Sequence, residues 1–259
     1  MRWAGNLRRE LSARNLQIVV AHGALHELTA ADVPSVIFGR SGSRQHGNFY
    51  PASYRNICAH PEWARRLAKV HTGSRRASPR AGWRWRELDC ANSSDALLMN
   101  IFCCRRTLSN RALSSMLGVS SGNVPQFGFK PAIPLRSGRT DRTEIDMKLG
   151  DLMVEAKLTE TDFQTAPARM IERYRDLDEV FDQEELMMSG DIVHSYQLIR
   201  GVLAAHATGG SFCVLCDARR PDLIENWYFE PGLRGSIDRY DCRHPDQRAF
   251  HHAERTFAS

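Results

Sequence analysis

The chain has 259 residues, 42% of them hydrophobic and 25% charged, which is enough apolar material for one large soluble domain or for a core with an extension. No run approaches the roughly 18 apolar residues of a membrane span, and the stretch 16–21 is too short and too closely followed by His22 and His26 to read as a signal peptide. The seven cysteines form an odd set, as expected of reduced thiols, so a disulfide-stapled scaffold is excluded and a cytoplasmic location is the expectation. The net charge of +5 permits a polyanionic partner without requiring one.

Residues 1–33 read as helical and amphipathic, broken at 29–34 by Thr29, Asp32 and Pro34. Residues 39–52 form a loop rich in glycine and serine. A helix is predicted over 61–70, with Trp63, Leu67 and Val70 on one side. The segment 71–82 reads as a polar, flexible link. Between Arg65 and Arg86 the chain carries no acid, and Trp83 and Trp85 stand among the arginines. Arginine with tryptophan suits phosphate neutralisation and base stacking, which makes Arg75, Arg76 and Arg84 candidate nucleic-acid contacts. A solvated basic loop is the plainer alternative.

Residues 93–104 predict a buried helix capped by Ser93 or Ser94, with Leu97, Leu98, Ile101 and Phe102 packed and Asn100 an unexpected amide among them. A second helix over 109–117 ends at Gly118. Residues 126–133 read as a strand, and Arg136, Arg139 and Arg142 lead to a hairpin over 142–158. Side chains alternate faces along a strand. Ile145, Met147 and Leu149 therefore share one face of the hairpin with Leu152, Val154, Ala156 and Leu158. The other face takes Glu144, Asp146, Lys148, Met153, Glu155 and Lys157. With Gly150-Asp151 as a two-residue loop, Leu149 pairs with Leu152, Asp146 faces Glu155 and Glu144 faces Lys157. Opposed carboxylates repel, so a sheet gains nothing from that pair unless a cation lies between them.

Lysine usage points the same way: only Lys69, Lys130, Lys148 and Lys157 occur among 35 basic residues, and a lysine two residues after a glutamate supplies a compact charge that arginine does not. A half-exposed hairpin whose polar face merely meets solvent is the competing reading.

Beyond the hairpin, 166–186 reads as a charged helical stretch interrupted at Gly190, and 191–207 as a helix with Ile192, Tyr196, Ile199 and Leu203 inward. His194, Gln197 and Arg200 form its polar stripe. Residues 211–216 read as a buried strand, in which Cys213 and Cys216 are small hydrophobes rather than a metal or redox pair.

Asp146 followed after a short turn by Glu155-Ala156-Lys157 resembles the signature of the PD-(D/E)XK nuclease superfamily, and the segments around 93–102, 142–146 and 154–157 are similar to an uncharacterised bacterial branch of it. The likeness covers about 45–217 and departs at Ile145, where the superfamily name has proline. It implies a restriction-endonuclease-like αβββαβ core with a mixed central sheet flanked by helices. The expected organisation is a helical extension with a basic loop over 1–86, the core over 87–220 and a C-terminal extension over 221–259.

It further implies Mg²⁺, replaceable by Mn²⁺, on Asp146, Glu155 and the Ala156 carbonyl, with Lys157 acting on the attacking water. Glu144 is a further candidate ligand or a partner for Lys157. Glu87, Asp89 and Asp95 are candidates for an additional acid, Asp95 being equally suited to capping. Gln197 is a candidate site residue, and Arg142 and Arg200 are candidate phosphate contacts. The implied activity is metal-dependent hydrolysis of phosphodiester bonds, in DNA first and by endonuclease cleavage, with a homodimer suited to cutting both strands. A nucleic-acid-binding module of the same fold without turnover is the alternative, since fold alone does not specify function.

Overall fold

The structure, a computed structural model, describes residues 2–29, 31–39, 45–70 and 86–228. Arg75, Arg76 and Arg84, with the link over 71–82, lie outside the described residues, as does everything beyond Tyr228. The chain forms two compact units and passes between them more than once. One comprises Met1–Lys130, Glu144–Thr161 and Ser211–Asp217; the other comprises Pro131–Thr143, Asp162–Gly210 and Ala218–Ser259.

The first unit is built on a four-stranded mixed sheet. Its order is Ser211–Cys216, Leu152–Lys157, Ile145–Leu149, Gln126–Phe129; the first two strands run parallel and the remaining neighbours antiparallel. The hairpin alternation decides which face is covered. Met147, Leu149, Leu152, Val154 and Ala156 pack with Leu98 and Phe102 of the helix Ser94–Phe102, the helix expected from the apolar run. Ser93 caps that helix, accepting from the Ala96 N–H at 3.2 Å.

Two further helices, Pro51–Ala59 and Pro61–Arg66, each begin with proline, whose missing N–H costs nothing in a first turn. With Leu67 just beyond the second, they bring Tyr54, Ile57 and Trp63 onto Ala96 and Met99 of the Ser94–Phe102 helix and onto Cys103 at its end. The first of these helices begins within the stretch expected to be loop. The N-terminal helix stops at Ala21, short of its expected length, with Gly23 in the left-handed region (φ 58°). A short ribbon follows, His26–Leu28 against Val36–Phe38.

Asn100 joins these layers. Its Oδ1 accepts from the Tyr50 N–H at 2.7 Å, and its amide donates to the Asn48 carbonyl at 2.8 Å and the Ala96 carbonyl at 3.1 Å. The polar residue within the apolar helix is thus a bridge to the backbone ahead of Pro51–Ala59.

The second unit departs more from expectation. The helix expected over 166–186 is two short turns, Arg169–Glu172 and Leu177–Val180. Between them the backbone turns outward to bond another segment: the Arg136 N–H donates to the Arg173 carbonyl and the Arg175 N–H to the Pro134 carbonyl. Buried Tyr174 fixes this turn, its hydroxyl donating to Asp141 at 2.5 Å.

The helix expected from 191 begins at Tyr196 instead, because Ile192–Val193 pairs with Met188–Ser189 across Gly190 and Ser195 takes φ 53°. His194 therefore belongs to the hairpin, where its Nε2 meets Ser189 Oγ at 2.7 Å. Cys213 and Cys216 lie on the edge strand and are half-buried rather than buried. No helix among the described residues is long and apolar enough to cross a membrane.

Replacing Asn100 by Ala should lower stability by roughly 1–3 kcal/mol, because it strips partners from several backbone groups at once. Chemical denaturation of the Asn100→Ala protein measures this, and a change below about 0.5 kcal/mol would remove Asn100 from that role.

Candidate active site

The turn sets the register of the hairpin. Gly150 takes φ 59°, a conformation costly for any residue with a Cβ, and a Cβ there would also press on the Asn123 amide. Leu149↔Leu152, Lys148↔Met153 and Met147↔Val154 are paired as the two-residue loop requires. One step further the register would set Asp146 against Glu155, and there the paired ladder ends. The Ala156 N–H donates to Asp146 Oδ2 at 2.8 Å, so a side chain takes the donor at this step.

Glu155, Ala156 and Lys157 stay extended because their other edge remains paired, to Val214, Leu215 and Cys216 of the parallel strand. Glu160 ties down the strand end. Its carboxylate accepts from the Leu158 N–H and from Ser94 Oγ, both at 2.7 Å, which fastens the hairpin to the start of the Ser94–Phe102 helix.

Glu155 and Lys157 are buried, at 4% and 6% exposure, and form an ion pair of 3.1 Å. Asp146 is half-buried, and the desolvation of its carboxyl holds it well above the ordinary carboxylate range. The charges of Glu155 and Asp95 push it the same way, and the Ala156 N–H and Lys157 offset only part. Asp146 and Glu155 are hard oxygen donors whose charges oppose one another, so a divalent cation with the Ala156 carbonyl as a third donor fits the chemistry of the set. Among the described residues no group of three or more His, Cys, Asp or Glu side chains is gathered to hold a metal.

A second group of charges borders this one. Arg66 reaches Asp95 Oδ2 at 3.1 Å and Glu144 Oε1 at 2.6 Å, and Lys69 reaches the same two acids at 2.5 and 3.4 Å. Glu144, expected to bind metal or face Lys157, thus pairs with cations from the end of the helix Pro61–Arg66 and just beyond it. Burial works against the charge of Lys69, Asp95 favours it, and the balance raises the ammonium above its usual range.

Room for Arg66 comes from Gly128 on the strand Gln126–Phe129. It has φ 67°, and a Cβ there would collide with the guanidinium. Sequence reasoning placed Arg66 and Lys69 in a basic run and missed this role. The available signal was a glycine inside a strand, which marks close approach by another group.

The remaining candidates are dispersed. Asp95 is ion-paired while Ser93 performs the capping, and Asp89 meets His46 Nε2 at 2.9 Å in a buried contact. Glu87 lies on a short helical turn with Asp89. Gln197 and Arg200 lie on the helix Tyr196–Ala207 of the second unit. Gln197 is half-buried and donates its N–H to the Phe163 carbonyl at 2.9 Å. Arg200 is buried with its guanidinium over the Tyr196 ring, which removes it from the wet stripe expected for a phosphate contact. Arg142 is exposed.

A family model described as restriction endonuclease associating with ARP matches residues 24–243. No curated protein and no solved structure matches the chain. The mixed sheet, its flanking helices and the central hairpin are those of the restriction-endonuclease-like fold. With the match spanning most of its length, the chain belongs to the family of restriction endonucleases associating with ARP.

Proposed function

We propose that the protein is a metal-dependent nuclease that hydrolyses phosphodiester bonds, with DNA as its first substrate class. The observation that carries this reading is the opened end of the hairpin. There Asp146 and Glu155 oppose each other's charge and buried Lys157 stands 3.1 Å from Glu155. A fold gains nothing from holding two such carboxylates, so their placement points to chemistry. The family match supplies the nucleic-acid context.

In this reading Asp146, Glu155 and the Ala156 carbonyl would hold Mg²⁺, with Mn²⁺ able to replace it. The ion would supply Lewis acidity and a water of lowered pKa. Lys157 orients the water or takes its proton, and its positive charge opposes the negative charge growing on the phosphate. The Ala156 N–H fixes the Asp146 carboxylate so that it does not reorganise during the step. Burial of Glu155 and Lys157 keeps water from screening these charges. Arg142, exposed, is a candidate phosphate contact, and Gln197 a candidate substrate contact.

Labelled DNA and RNA incubated with Mg²⁺ or Mn²⁺ should be cut, and Glu155→Gln or Lys157→Met should reduce cutting by on the order of 10²-fold or more. Undiminished cleavage by either variant would refute the assignment. Metal-independent nucleic-acid binding without turnover would identify a binding module of the same fold instead.

The raised carboxyl of Asp146 gives a test that needs no substrate. A carboxylic acid whose range is raised on folding opposes the fold once pH climbs above its unfolded value of about 4, and the penalty grows until its folded range is passed. In chelator, Asp146→Asn should therefore melt higher than the parent at pH 7–8. The difference should vanish below about pH 4, where both side chains are neutral. Mg²⁺ should narrow the gap by stabilising the parent. A variant less stable than the parent at neutral pH would contradict the cause given for the shift.

A further inference from the structure

The cluster of Arg66, Lys69, Asp95 and Glu144 is an expensive way to hold a fold together. Burying ion pairs returns little net stability, and apolar replacements are often as good. Yet Arg66 and Asp95 have side chains only 10% and 7% exposed, and Gly128, in a backbone conformation that favours glycine, leaves space for the guanidinium. Asp95 is close enough for its charge to act on Asp146. Asp95 thus links the two groups of charges, acting on Asp146 while it shares Arg66 and Lys69 with Glu144. Left uncompensated, Asp95 and Glu144 would add negative charge beside the hairpin end, repelling a polyanionic substrate and competing for a cation.

We propose that Arg66 and Lys69 form a cationic clamp that withholds Asp95 and Glu144 from divalent cations, leaving the ion to Asp146, Glu155 and the Ala156 carbonyl. The inference rests on the metal-site reading above for where the ion goes, but its test does not. Both cations contact both acids, so each acid is held twice. Arg66 lies at the end of the helix Pro61–Arg66 and Lys69 three residues on, so one short segment carries the whole clamp.

The experiment is calorimetric titration of the full chain with Mn²⁺ alone. Arg66→Met and Lys69→Met should each bind Mn²⁺ more tightly than the parent, by on the order of tenfold, as expected when a carboxylate is added to a cation site. Adding Asp95→Asn or Glu144→Gln to either variant should remove that gain. Unchanged affinity in Lys69→Met, or a gain that survives loss of both acids, overturns the clamp.

Lys69 is about a quarter exposed, so its variant decides the matter even where Arg66→Met fails to unfold cooperatively. Glu155→Gln in the parent background judges the underlying metal reading separately. If the parent's affinity is indifferent to Glu155→Gln that reading fails, while a gain in Lys69→Met that Asp95→Asn abolishes still establishes that Lys69 withholds Asp95 from the cation.

Discussion

The site depends on a conflict between a hairpin register and two negative charges. The Gly150 turn and the apolar face of the hairpin fix the register, since a slip of one residue would carry every apolar side chain away from Leu98 and Phe102. That register directs Asp146 towards Glu155. The paired ladder stops at Met147↔Val154, and the Asp146 carboxylate takes the Ala156 N–H. The parallel strand Ser211–Cys216 keeps Glu155 to Lys157 extended after the hairpin partner has ceased to pair. Hydrophobic packing thus confines the charge conflict to one end of the hairpin.

Around that end the protein manages charge by pairing. Glu155 meets Lys157, while Asp95 and Glu144 meet Arg66 and Lys69. Asp146 has a carboxyl held well above the ordinary range, with burial as the first cause and its acidic neighbours the second. A side chain held in that way is poised to gain from a cation, as strained groups at functional sites often are. The supporting elements are ordinary: Ser93 caps the helix, Glu160 ties the hairpin end to Ser94, and Asn100 binds the helix to the preceding loop.

The hairpin was legible because its signals are local. Period-two alternation, a Gly-X turn and the spacing from Asp146 to Glu155 and Lys157 lie within seventeen residues, and each constrains the same register. The helix Ser94–Phe102 was legible for a similar reason, with a cap, an apolar run and an end close together. The stretch 166–186 was not. It reads as helical from its charged composition, but the backbone at Arg173 and Arg175 bonds to Arg136 and Pro134, which are remote in sequence. Arg200 failed likewise: its spacing put it on a polar stripe, whereas it is buried against Tyr196.

The amino-acid sequence by itself determined the hairpin, its two faces and the meeting of opposed carboxylates with a nearby lysine, because side-chain direction in a strand follows from position alone. Tertiary structure decided what surrounds them. That Arg66 passes over Gly128, and with Lys69 holds Asp95 and Glu144, follows from the packing of the helix Pro61–Arg66 near the strand Gln126–Phe129. No spacing encodes such a contact, because charges far apart in the chain become neighbours only when the apolar core has closed.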